Sequence, residues 1–184
     1  MKFHRIGAAL AVPGAALAAL LLLAACEDYG RVTQTQVDPG YNPDELGYAG
    51  GDKAILTTLI HGNPSDVNAE RFAEQVLTSM NRVHVGASLK FGPDAGPGGR
   101  PMYKVVMVFN PETQVIDSEL CAAQIPPSQP FKEDVTVRAA YCRGGRAMTG
   151  AIGTIEAEDA AKPDRMDRFI RDLTVTLFPT HRPS

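Results

Sequence analysis

A chain of 184 residues accommodates one ordinary domain with extra segments, since domains run to about 100–200 residues. Hydrophobic residues make up 44% of it, and 18 Lys and Arg stand against 21 Asp and Glu, a formal net charge of −3. That mild acidity argues against nucleic acid as a partner, and against overall charge as the means of holding an anionic membrane.

The chain opens with Lys2 and Arg5 ahead of an apolar run, Ala15 to Ala25. Pro13-Gly14 interrupts the run upstream, and it falls short of the roughly 20 apolar residues that a spanning helix needs. A basic start, a short apolar stretch and small residues at its end predict a signal peptide over 1–25. Leu23-Ala24-Ala25-Cys26 has the pattern of a lipobox, with two small residues between a leucine and a cysteine. The resemblance to lipobox proteins implies cleavage before Cys26, lipidation of its thiol and acylation (palmitate or a similar chain) of its amino group. Several acyl chains on one residue exceed what stable anchoring requires, at about 0.8 kcal/mol per buried methylene. Glu27 follows the cysteine, where an aspartate would favour the inner membrane in enteric-type sorting, so the outer membrane is the expected address. Removing 1–25 leaves 16 basic against 21 acidic residues, a net −5.

Residues 26–52 contain Asp38-Pro39-Gly40, Asn42-Pro43 and Gly50-Gly51 with isolated Tyr29, Tyr41 and Tyr48, and show no helical or strand period. They are expected to be a flexible tether of roughly 30 Å root-mean-square reach. The folded domain is placed at 53–184. AILTTLIHG, Ala54 to Gly62, predicts a strand. Ser65, Asp66 or Asn68 then caps a helix to about Arg82, with Phe72, Val76 and Met80 on one stripe. Ser88 to Phe91 is a second candidate strand, and Gly92 to Pro101 a loop. MYKVVMVF, Met102 to Phe109, is the strongest strand and is apolar enough to be covered on both sides. Ile116 to Ala123 is read as a strand, and IPPSQP after it as extended loop. Asp134 to Cys142 and Ala147 to Ala157 flank Arg143-Gly144-Gly145-Arg146 and predict a hairpin. Pro163 opens a second amphipathic helix through Met166, Phe169, Ile170, Leu173 and Leu177 to Pro179. The expected fold is therefore α+β, a single small domain with a mostly antiparallel sheet of about five strands and two amphipathic helices packed on one face.

Setting Cys26 aside leaves Cys121 and Cys142, an even pair that an oxidising periplasm would join as a disulfide. There is no Cys-x-x-Cys and no histidine at ligand spacing, so neither metal nor cofactor is expected. His61 and His84 are the histidines that a carboxylate could turn into a general base. Asp117 and Glu119, two apart, would share one side of a strand, where a solvated face is the plainer reading. Arg143 and Arg146 at the hairpin tip are candidates for an anion or partner contact. Nucleophile-elbow, P-loop, zinc-protease and dinucleotide motifs are all missing, so the reading leans away from an enzyme.

Gly62-Asn63-Pro64, the run Tyr103 to Pro111, the two cysteines with Arg143-Gly144, and Leu177-Phe178-Pro179 together resemble a group of short, uncharacterised bacterial lipoproteins over most of 50–179. The resemblance implies a shared domain and a place in the envelope, but no activity. The element order is also similar to envelope-assembly domains of the TolB N-terminal type, in architecture alone. The expected function is a lipid-anchored periplasmic lipoprotein that supports an envelope protein or cell-wall component. The alternative is a small-ligand binder or enzyme using His61 or His84.

Overall fold

The computed structural model describes residues 29–86, 88–130 and 134–181. In chain order its elements are β1 (Arg31–Val37), α1 (Leu46–Ala49), β2 (Ile55–His61), α2 (Ala69–Met80), β3 (Lys90–Gly92) and β4 (Tyr103–Phe109). They continue with α3 (Asp117–Cys121), β5 (Asp134–Arg143), β6 (Arg146–Glu156), α4 (Ala157–Ala160) and α5 (Pro163–Leu177). One six-stranded sheet runs β1-β6-β5-β4-β2-β3. Among the described residues no helix is long and apolar enough to cross a membrane.

The domain is α+β, but the sheet is mixed rather than mostly antiparallel. β1/β6, β6/β5 and β5/β4 are antiparallel, whereas β2 is parallel to both β3 and β4. The reason lies in the connections. α2 carries the chain back to the starting edge before β3, and the 93–102 loop does so again before β4, so each new strand runs the same way. Local patterns mark the strands but do not show where the connections deliver them.

Two further expectations are corrected. The stretch taken for a tether is folded from Tyr29 onward: β1 pairs with β6 from Arg31↔Thr154 to Val37↔Thr149, and Tyr41, Leu46 and Ala49 are buried. β1 escaped notice because RVTQTQV is a polar edge strand with mostly exposed side chains, and hydrophobic alternation is weak there. The strand read at Ile116 to Ala123 is instead α3. Its buried residues Asp117, Leu120 and Cys121 recur at i, i+3, i+4, a helical spacing. Because α3 lies behind the sheet, helices cover both faces rather than one.

The main core fills the side under α2 and α5. Val105, Met107 and Phe109 of β4 and Val135, Val137 and Ala139 of β5 meet Phe72, Val76, Met80, Phe169, Ile170, Leu173 and Leu177 there. Each of these valine, leucine, isoleucine, methionine and phenylalanine side chains contributes about 1.5–3 kcal/mol when fully buried. The alternate residues Val106, Val108, Ala140 and Cys142 face the other way, onto Val115, Leu120, Cys121 and Ala147. β4 is thus covered on both sides, as its continuous apolar sequence predicts.

Local chemistry sets the ends. Asn68 caps α2 by accepting from the Arg71 N–H at 2.8 Å. Asn81, just past α2, both donates to the Phe91 carbonyl at 2.9 Å and accepts from its N–H at 2.8 Å, which clamps β3 to the helix end. The β5–β6 hairpin turns through Gly144 at φ 62°, a conformation glycine adopts without steric cost.

Candidate functional site

The distinctive geometry lies where the chain joins the domain. Tyr29 donates its hydroxyl hydrogen bond to Asp172 on α5, and the guanidiniums of Arg168 and Arg165 lie 5.2 and 5.8 Å from its ring centre. Burial raises the Tyr29 hydroxyl to about 12, the Asp172 carboxylate adds to the rise, and Arg168 and Arg171 oppose it. Gly30 follows in a tight seat. A Cβ there would come within 3.1 Å of the Thr154 carbonyl oxygen and 3.2 Å of the Phe169 ring. At Gly153 a Cβ would reach 2.7 Å from the same ring, so two glycines make room for Phe169. The chain is therefore fixed to α5 and β6 before β1 begins.

Arg165, Arg168, Asp172 and Thr176 form the stripe of α5 beside β1, where Gln34 donates to the Thr176 carbonyl at 3.0 Å. On the opposite flank α5 meets α2 across a groove of about 820 Å³. Asp167 organises it, accepting from Ser79 Oγ and from Arg82 Nη1, each at 2.8 Å. Arg171 Nε approaches the other carboxylate oxygen at 3.1 Å but is out of line for a hydrogen bond. Two arginines and a hydroxyl thus share one acid. The groove is lined by matched charges, Arg71, Arg82, Arg168 and Arg171 against Asp66, Glu74, Asp164 and Asp167, and has no net sign.

The residues singled out from sequence fall in separate places. Cys121 and Cys142 are joined as a disulfide with Cα atoms 5.4 Å apart, fastening α3 to β5. Arg143 and Arg146 are both engaged within the domain. Arg146 grips Asp38 bidentately at 2.7 and 2.8 Å, and Arg143 reaches Glu45 at 3.2 Å. Burial alone would raise the Asp38 carboxyl, but the Gly40 N–H and the Arg146 guanidinium outweigh it and hold the group below the usual carboxylate range. The hairpin tip therefore secures the folded N-terminal segment. His84 is exposed, and His61 sits half-buried at the end of β2 with its Nε2 enclosed and without a partner. Neither lines the interhelical groove. Among the described residues no group of three or more His, Cys, Asp or Glu could hold a metal ion. Cys26 and the signal segment lie outside the described residues.

Asp117 and Glu119 part company. Glu119 Oε2 accepts from the Ile116 N–H at 2.9 Å and closes the first turn of α3. Asp117 is buried at 3% exposure, pairs with Arg138 at 2.6 Å and accepts from Thr35 Oγ1 at 2.6 Å. Gly150 lies against this carboxylate so closely that any Cβ would collide with it. Nothing in sequence placed Thr35, Asp117, Arg138 and Gly150 together, nor Tyr29 beside Asp172, because each contact joins distant segments.

No family model and no curated protein matches this chain. Among solved structures it is similar to the PelC dodecamer from Paraburkholderia phytofirmans and to a single-substitution variant of it, at 16% and 15% identity. In both comparisons the TM-score is 0.45, with 83% of this chain and 99% of the other covered. A likeness this loose carries no argument about the chain.

Proposed function

We propose that this chain is a lipid-anchored envelope protein that acts by contact rather than catalysis, holding its domain beside the membrane for an envelope partner. The observation that carries the reading is the closeness of two features. The lipobox cysteine, Cys26, lies three residues before Tyr29, which is bonded to α5. A lipid on Cys26 would secure a folded body directly. Glu27 after the cysteine favours the outer membrane, and the Cys121–Cys142 disulfide suits an oxidising compartment.

The test is the fate of the full chain when expressed in a bacterium. Wild type is expected in the membrane fraction, with its mature N-terminus at Cys26 and a mass raised by acyl chains. Cys26→Ser is expected to lose that added mass and leave the membrane. Equal membrane partition of both forms, or a mature wild-type protein without acyl mass, would defeat the proposal.

A further inference from the structure

The N-terminal arm fits a second copy of this chain as well as its own: we infer that residues 29–50 exchange between two copies, each arm lying against the β6 edge, α5 and hairpin tip of the other. The inference goes beyond the lipid-anchor reading and does not depend on it.

The first argument is fit. β1 pairs with β6 from Arg31↔Thr154 to Val37↔Thr149. Around it Tyr29 bonds to Asp172, Thr35 to Asp117 and Asp38 to Arg146, and the Tyr41 hydroxyl donates to the Pro179 carbonyl at 2.9 Å. These partners all lie between residues 117 and 179, so a second copy presents the same surface in the same form. The burial of Tyr41, Leu46 and Ala49 is likewise recovered when the arm lies on another copy. Exchange therefore loses no contact outside the hinge, and the hinge and the concentration of copies decide it. The arm also carries its own shape. Among the described residues Tyr41, Glu45 and Gly50 donate their N–H groups within it, to the Asp38, Asn42 and Leu46 carbonyls.

The second argument is the hinge. Gly50 to Ala54 folds the arm back before β2, with the Ile55 N–H on the Gly50 carbonyl at 2.9 Å and the Ala54 N–H on the Gly51 carbonyl at 3.1 Å. Ala54 is left-handed at φ 52° and ψ 36°, a region that its Cβ disfavours, and Gly51 stands at φ 63°. Straightening returns Ala54 to relaxed backbone and makes a link of about 17 Å toward an adjacent body. A short hinge under strain, joined to an edge strand, favours the exchanged form. Once β6 has formed, closing the long loop back to β1 of the same chain competes with pairing to a neighbouring copy.

The test co-produces two full-length chains in one bacterium, one Thr33→Cys and the other Ile152→Cys, at residues paired across β1 and β6. After mild oxidation, mass spectrometry of the digested protein should show residue 33 of one chain linked to residue 152 of the other. A single chain bearing both substitutions shows that the site can close, with the Cys121–Cys142 disulfide as the sign of correct folding. Ala54→Gly, which removes the hinge strain, should lower the yield of the interchain link about fivefold or more. Closure in the double variant with no link between the co-produced chains overturns the inference. So does an interchain link from residue 33 to residue 33 in its place, or a yield indifferent to Ala54→Gly.

Discussion

The two faces of the sheet are held by different physics. Under α2 and α5, long side chains interdigitate over a wide area, and hydrophobic burial suffices to fix two helices of 12 and 15 residues. Behind the sheet α3 has only five residues, and the apolar cluster beneath it consists mostly of valine, alanine and cysteine. A helix that short has no stability of its own. Its N-terminal end is secured by the buried Asp117–Arg138 pair and its C-terminal end by the disulfide. Where area is scarce, specific bonds at defined points take its place.

The helix-covered face is the more sensitive to loss of a single side chain. Phe169→Ala removes a fully buried ring that fills the space left by Gly30 and Gly153, and should destabilise the domain by about 3–5 kcal/mol. Chemical denaturation of wild type and variant checks this, and a loss below the effect of cutting the disulfide would mean that the disulfide, not the packed ring, is the stronger fastening. Replacing Cys121 and Cys142 together by serine comes next. It opens a loop of sequence separation 21 and should cost about 3 kcal/mol, or roughly 6–12 °C in melting temperature for a domain of this size. Hydrogen exchange should then rise first in 115–125 with α5 still protected. Uniform loosening of both helices would mean that the two faces are not separately held.

The smallest effect concerns His61, whose pairing with Val108 places it on the side of the sheet away from α2 and α5. Burial holds its imidazole below the ordinary value of 6.5, so the unfolded chain takes up a proton more readily than the folded one. The resulting stability is present above that value and is lost as pH falls through the folded pKa. The denaturation midpoint should therefore slide downward between about pH 7 and pH 5, and His61→Gln should flatten the slope. An unchanged slope in the variant would remove this group from the account.

Periodicity made β2, α2, β4, the hairpin and α5 legible, since each buries one side in a repeating pattern. Cysteine parity made the disulfide legible once Cys26 was set aside. Two elements were hidden for opposite reasons. β1 presents polar side chains on an edge, and α3 is too short for its period to stand out. The sheet's parallel half was hidden because direction depends on where a connection ends, which residue patterns do not record. The ion pairs were illegible in principle: Arg146 finds Asp38 across 108 residues and Arg143 finds Glu45 across 98. Those partners changed the hairpin tip from a suspected contact surface into a fastening for the N-terminal segment.

That fastening also dictates the order in which the molecule can be completed. Among the described residues β1 is the first strand synthesised, yet its one sheet neighbour there, β6, emerges about 120 residues later. Closing so long a loop is entropically costly, and pairing of this kind is slow. Until residue 156 has been made, β1 has no template and β5 exposes the edge that β6 will occupy. A nascent chain stopped anywhere between β5 and β6 carries two unpaired strand edges at once, the arrangement most prone to cross-pairing between chains. β1 therefore cannot pair before β6 has been made, although it leaves the ribosome earlier.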